Sequence, residues 1–224
     1  FSSDMQAISP NGKSFVDTIS RIDQPSRSVL RSCVDGAELM TLAQCDPSSI
    51  PAMPVPQSFT VKATDGITDL WGVMYRPNDM DEREQYPVVL NIYGTPQCCI
   101  TQRKFAEVSL TVDMGSYQAF AELGFIIVVL DPRGTPLRSK AFHDVAYGNL
   151  QNGCGIDDQV GAIKQLGERY AWMDLDRVGI TGFSGGGFAS ARAMLSHPDF
   201  FKVAVSNAGN LDNRFYNAEW AETF

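Results

Sequence analysis

Ser184 is the residue whose surroundings could turn an ordinary side chain of this chain into a nucleophile. It sits in Gly182-Phe183-Ser184-Gly185-Gly186, a match to G-x-S-x-G, after a β-type run (Val178–Thr181) and before a helical one (Gly187–Ser196). Strand, sharp turn and helix are the context such a serine requires. The turn holds the serine in a strained backbone conformation that points its hydroxyl outward, so the neighbouring residues must lack bulk for strand and helix to approach. Gly182, Gly185, Gly186 and Gly187 give that room. The helix that follows aims backbone N–H groups and a partial positive charge at the place where a tetrahedral oxyanion would form. The competing readings are a Gly-rich turn with an incidental serine and an anion-binding helix start. A phosphate loop does not fit, because no G-x-x-x-x-G-K-[ST] occurs.

A serine nucleophile needs a general base, normally a histidine oriented by a carboxylate, and on turns of this type the chain order is Ser, acid, His. The chain has two histidines. His197 closes the helix that the serine opens, about 15 Å away by helix rise, and reads with Pro198 as a helix stop. His143 precedes the serine, in Ala141-Phe142-His143-Asp144, and reads as a hydrogen-bonded structural residue. The base and its acid are therefore expected beyond Phe224. The chain opens on Phe1 rather than Met and stops inside a polar and aromatic stretch, so it reads as a fragment cut at both ends.

The elements that must position Ser184 follow from periodicity. After about residue 57, β-type runs alternate with helical ones: Ser58–Ala63 and Thr68–Tyr75 around the Asp65-Gly66 turn, Pro87–Tyr93, and Phe125–Leu130, apolar at every position as a strand covered on both faces should be. Tyr117, Phe120, Ala121 and Leu123 recur at helical spacing, and Ile156, Val160, Ile163, Leu166 and Tyr170 form a second stripe with Asp157 and Asp158 at its dipole-positive end. Arg177–Thr181 and Val203–Ser206 add two strands. This alternation predicts an α/β fold with a doubly wound sheet and right-handed crossovers. Before it, Pro47, Pro51, Pro54 and Pro56 mark a linker at residues 44–57. Upstream of the linker, Lys13–Ile19, Ser28–Arg31 and Glu38–Ala43 read as a three-strand meander, too small to be stable alone. The expected division is residues 1–50 and 51–224.

Composition removes several classes of function. Hydrophobic residues make up 44% and charged residues 20%, which is globular usage. The longest apolar run, Phe125–Leu130, is about a third of the 18 residues a membrane helix requires. A net charge of −8 and a pI near 4.7, without a Lys/Arg cluster, argue against a nucleic-acid partner. Cys33, Cys45, Cys98, Cys99 and Cys154 show neither metal spacing nor a disulfide framework, and no metal or other cofactor is expected. The compartment is left open.

A family resemblance rests on four segments: Ile92-Tyr93-Gly94-Thr95-Pro96-Gln97, Asp131-Pro132-Arg133-Gly134-Thr135, Gly182–Gly187, and Asn213-Arg214-Phe215-Tyr216-Asn217-Ala218-Glu219-Trp220. Together they resemble the prolyl oligopeptidase family of serine peptidases, nearest its dipeptidyl peptidase IV branch. Ile8-Ser9-Pro10-Asn11-Gly12-Lys13 with Phe15-Val16-Asp17 is similar to a last propeller blade entering the catalytic domain. The resemblance implies an incomplete α/β-hydrolase sheet preceded by strands from the end of a β-propeller, a peptide substrate attacked through an acyl-enzyme, and homodimer formation. It implies that Ser184 is the nucleophile and that the Tyr93 hydroxyl and the Gly185 N–H form the oxyanion hole. Tyr216 and Trp220 align with aromatic residues of the acyl-side pocket. Arg133 either binds a substrate carbonyl or braces a loop, with bracing favoured. Two departures bear on the pocket: Gly185 replaces a tyrosine of that branch, and so does Trp220. The alternatives are an esterase or lipase on the same fold and a non-catalytic binding protein that keeps it.

Overall fold

The computed structural model describes residues 2–46, 48, 54–94, 96–105, 117–152, 155–218 and 222. The chain divides into two compact units, Phe1–Pro56 with Gln102–Val108, and Gln57–Thr101 with Ser109–Phe224.

The first unit is a four-stranded antiparallel meander in the order β1 (Ser2–Ile8), β2 (Ser14–Arg21), β3 (Gln24–Ser32), β4 (Glu38–Gln44). It has one strand more than the sequence runs predict. β1 carries Ser2, Ser3, Asp4 and Gln6, which have little strand preference, and pairing with β2 overrides that weakness. Neighbouring strands tie polar groups together: Arg31 pairs with Asp17 at 2.7 Å, and Asp17 is only 4% exposed. Thr18 and Ser28, opposite each other in the β2–β3 register, share a 2.9 Å hydroxyl hydrogen bond. Of the linker prolines, Pro47 and Pro51 lie outside the described residues.

The second unit carries a six-stranded mixed sheet in the order β10-β9-β7-β8-β6-β5, with β5 at Gln57–Lys62, β6 at Asp69–Tyr75, β7 at Tyr86–Asn91, β8 at Ile126–Leu130, β9 at Met173–Phe183 and β10 at Phe201–Asn207. β5 and β6 form an antiparallel hairpin that joins β8 antiparallel, whereas β8, β7, β9 and β10 run parallel. The Asp65 carboxylate closes the hairpin by accepting from the Ile67 and Thr68 N–H groups and the Thr68 hydroxyl. Helices α1 (Tyr117–Ala121), α2 (Lys140–His143), α3 (Ile156–Arg169) and α4 (Gly185–Ser196) complete the unit.

Alternation along the parallel strands sends Val88, Leu90, Ile126, Val128, Val178 and Ile180 to one face, where they meet Ile156, Val160, Ile163 and Leu166 of α3 and Ala189 and Ala193 of α4. Each fully buried aliphatic side chain contributes roughly 1.5–3 kcal/mol of transfer free energy to this core. Asn91 and Ile127 point to the opposite face, where Asn91 donates to the Tyr117 hydroxyl of α1 at 3.0 Å. Helices on both faces make the sheet doubly wound, as the β-α alternation predicts. β8 is buried at all five positions, matching its uninterrupted apolar sequence.

Two boundaries near the site differ from their sequence expectation. β7 ends at Asn91, two residues short of Tyr93, although the Ile92 N–H still bonds the Thr181 carbonyl at 2.9 Å. The helix after Ser184 begins at Gly185 rather than Gly187, because the close packing around the turn already fixes the two glycines in helical conformation.

Candidate active site

The site is built where β9 gives way to α4. Ser184 occupies that junction with φ 56° and ψ −116°, a conformation an L-residue adopts only at a cost of about 1–3 kcal/mol unless its surroundings impose it. The surroundings here do so through the backbone. The Ser184 N–H donates to the Asn207 carbonyl at 2.9 Å, anchoring the turn to β10, and the Ser184 carbonyl accepts from Phe188 at 3.1 Å, starting the helix. A Cβ on Gly182 would stand 2.3 Å from the Ile92 carbonyl oxygen, and one on Gly186 would stand 2.1 Å from that same atom. The glycines are thus required for close approach of three backbone segments around the serine. Ser190 and Ser206 lock the first turn of α4 by donating to the carbonyls of Gly186 (2.7 Å) and Gly187 (2.8 Å).

Ser184 is half-buried. The Gly185 N–H, the first of α4, is among the donors that an α-helix leaves without an internal acceptor, and it points toward the dipole-positive end. Tyr93 follows β7 directly and is half-buried; its Cα lies 3.0 Å from where a Gly186 Cβ would be, so its backbone abuts the first turn of α4. Gly94 then turns the chain at φ +66°, with its Cβ position 3.3 Å from the Ala189 methyl group. Ser184, Gly185 and Tyr93 are brought together by three parallel strand ends.

Both histidines are engaged elsewhere. His197 caps the far end of α4, about 18 Å from its start by helix rise, and its Nε2 lies 3.0 Å from Asp157 Oδ1. His143 Nε2 lies 2.9 Å from the Pro96 carbonyl oxygen. Among the described residues neither ring hydrogen-bonds to Ser184.

Arg133 is wrapped by acceptors. Its Nε and one terminal nitrogen bond the two Asp158 oxygens at 2.9 Å each, that nitrogen also bonds the Thr64 hydroxyl at 2.7 Å, and the remaining nitrogen bonds Asp65 at 3.0 Å. This ties the β5–β6 hairpin, the segment after β8 and the start of α3 into one junction. Burial pushes the Asp158 carboxyl up, but the Arg133 guanidinium and the Thr64 N–H and hydroxyl outweigh it and hold the carboxyl below its ordinary range. Tyr216 is 45% exposed, beyond a single 3-10 turn (Asn213–Phe215). Trp220 lies outside the described residues, as does Cys154. Cys33, Cys45, Cys98 and Cys99 form no disulfide with one another.

One residue that enters the sequence reading only as part of a resemblance segment gains a role in the fold. Asp131, at the C-terminal end of β8, accepts from the Ile100 N–H at 2.7 Å and the Thr101 N–H at 3.3 Å. A lone carboxylate ending an all-apolar parallel strand is the signal that could have flagged it, because polar groups at such strand ends face the ligand crevice.

The family model described as prolyl oligopeptidase family matches residues 111–224, just over half of the chain. The chain belongs to the prolyl oligopeptidase family. Human dipeptidyl peptidase 8 is 35% identical over 175 residues, which is 78% of this chain and 19% of that protein. Mouse prolyl endopeptidase FAP is 28% identical over 177 residues, 79% of this chain and 22% of that one. A crystal structure of a Bacteroides ovatus protein assigned as a dipeptidyl aminopeptidase IV superposes with a TM-score of 0.83 at 27% identity, covering 98% of this chain and 31% of that one. The family and this likeness make the second unit an α/β-hydrolase fold. The chain spans about a fifth of the length of the human relative.

Proposed function

We propose that this chain carries the nucleophile and the oxyanion hole of a serine peptidase of the dipeptidyl peptidase type. The observation that carries the reading is Ser184 itself, an L-residue held at φ 56° between a parallel strand and a helix N-terminus in a chain of peptidase ancestry. In this reading the Ser184 hydroxyl attacks the peptide carbonyl, its proton passing to a histidine base, and the amine leaves as the acyl-enzyme forms; water then releases the acyl group. The Gly185 N–H and the Tyr93 hydroxyl receive the developing oxyanion. Each such donor contributes about 3–4 kcal/mol in comparable sites. With His143 and His197 both bonded elsewhere, the base and its carboxylate come from residues outside this sequence.

The four-stranded meander of the first unit is proposed as the last blade of a β-propeller, and the boundary near residue 50 as the entry to the catalytic domain. Strands of blade-like length in an antiparallel order support this. Arg133 is assigned to bracing, because its guanidinium nitrogens already meet Asp158, Asp65 and Thr64. Tyr216 is proposed to contribute to the pocket for the acyl side of the substrate.

Labelling with a fluorophosphonate probe and turnover of Ala-Pro anilides, with free and acetylated N-termini, test the reading in the full-length protein that contains this chain. Labelling at Ser184 and turnover of the free-amine substrate, both lost in Ser184→Ala, are expected. Unlabelled Ser184 in a folded full-length protein sinks the peptidase reading. Preference for the acetylated substrate replaces dipeptide release with endopeptidase activity, and a preference for simple acyl esters favours the esterase alternative.

A further inference from the structure

The described residues that follow Tyr93, 94 and 96–101, lie in neither helix nor strand; three of their ties go to the stretch from Asp131 to His143, and the Thr101 hydroxyl donates to the Trp71 carbonyl at 3.5 Å. The Asp131 carboxylate accepts from the Ile100 and Thr101 N–H groups. The Cys99 thiol lies 3.2 Å from the Pro136 carbonyl oxygen. His143 Nε2 lies 2.9 Å from the Pro96 carbonyl oxygen, and since a carbonyl only accepts, Nε2 carries the proton and donates. On its other side Gly94 packs on Ala189, and the Tyr93 Cα abuts Gly186.

We propose that His143 and Asp131 are positioning residues that set where the Tyr93 hydroxyl stands relative to Ser184. The inference rests on the reading of Tyr93 as an oxyanion donor and adds what holds it. Pro96 is three residues from Tyr93, a span of at most about 11 Å, so the His143 contact bears on the short stretch of backbone that carries the tyrosine. Asp131 fixes the far end, at Ile100 and Thr101. Neither group is near enough in sequence to Ser184 to belong to its turn, and neither lies in α4. Their effect would therefore fall on the transition state rather than on substrate affinity, because an oxyanion donor acts where charge develops.

Steady-state kinetics of the full-length protein on a peptide anilide test this with His143→Leu, His143→Gln, Asp131→Leu, Asp131→Asn, Tyr93→Phe and the doubles with Tyr93→Phe. Tyr93→Phe is expected to lower kcat roughly 100-fold. His143→Leu is expected to lower kcat about tenfold with KM within about twofold, a fraction of the loss that an ångström of misplacement can cause. His143→Gln keeps an N–H donor for Pro96 and should recover most of that loss; Asp131→Asn, which keeps an acceptor, should outperform Asp131→Leu in the same way. His143→Leu added to Tyr93→Phe should cost nothing further, since the hydroxyl being positioned is gone. Full multiplication of the two losses, or an unchanged kcat in His143→Leu, overturns the clamp while leaving the oxyanion reading standing. An unchanged kcat in Tyr93→Phe fails the oxyanion reading and takes the clamp with it. Should Asp131→Leu not fold, the partly exposed His143 pair carries the test unaided.

Discussion

The two halves of the candidate site are held by opposite means. The Ser184 turn is held by backbone: carbonyls of Ile92 and Asn207, helical bonds of α4, and glycines that permit carbonyl oxygens to come where any Cβ would collide. The Tyr93 segment is held largely by side chains from 30 to 47 residues away, those of Asp131 and His143. The first half draws its own residues from six consecutive positions, packed against the ends of β7 and β10, and the second is built from side chains brought in once β7 and β8 lie side by side. A local construction should break all at once, whereas a side-chain scaffold should loosen in steps.

The largest effect is expected from breaking the first half. Gly186→Ala places a methyl group 2.1 Å from the Ile92 carbonyl oxygen, and because the obstacle is backbone in the central strand region, no side-chain rotation relieves it. Overpacking of this kind costs about 3 kcal/mol or more, which for a unit of this size lowers the midpoint of thermal unfolding by about 10 °C. Calorimetry on the purified chain measures it. A midpoint within two or three degrees of the parent, by the same about 2–4 °C per kcal/mol, would show that the turn has room the geometry denies.

Next comes the junction centred on Arg133. Removing one partner of a buried ion pair leaves the other uncompensated, at a cost of about 3–5 kcal/mol. Arg133 keeps about a fifth of its side chain exposed, so Arg133→Gln should lose about 2–3 kcal/mol, screened toward the low end. The loss should depend on pH. The folded Asp158 carboxyl titrates below its unfolded value, so its contribution is fully present above about pH 4 and disappears as pH falls through the lower folded value. Denaturant unfolding at pH 7 should separate Arg133→Gln from the parent chain, and the gap should narrow as the buffer is taken toward pH 3. A gap that is constant with pH would mean that Arg133 acts through packing of its stem.

The same contrast explains what could be read from the sequence. Ser184, its glycines and the strand and helix beside it are contiguous, and residue type alone carries the steric argument. β8 was equally plain, since five apolar residues in a row demand cover on both faces. β1 was not, because Ser2, Ser3, Asp4 and Gln6 become a strand only by pairing with β2. The sequence pattern carries β7 two residues too far, since Ile92 and Tyr93 are good strand formers and nothing local shows that the ladder stops. His143 could be recognised as a structural histidine, but its acceptor, 47 residues upstream, could not be named. The roles of Tyr93 and Tyr216 came from resemblance to a family, and contact geometry supplies the surroundings of the first alone.

The smallest effect probes the side-chain scaffold through thiol reactivity rather than through turnover. Cys98 sits beside Asp131, and burial first, then the negative charges of Asp131 and Cys99, push its thiol up to about 11. At pH 8 almost none of it is thiolate, the form that reacts with alkylating agents. Cys33 and Cys45 are exposed and should be modified first by iodoacetamide, with Cys98 lagging behind both. Asp131→Asn removes one of the charges that oppose ionisation, so the pH at which Cys98 begins to react should move down, while Cys33 and Cys45 keep their profiles. Because burial is the larger cause, the movement should be modest, and a much larger one would mean that the substitution had opened the segment. Site-resolved mass spectrometry over pH 7 to about 10, spanning the approach to the thiol titration, distinguishes these outcomes. An unmoved Cys98 profile would place the Asp131 charge too far from the thiol to act on it, and would weaken the view that one carboxylate organises the whole stretch from Cys98 to Thr101.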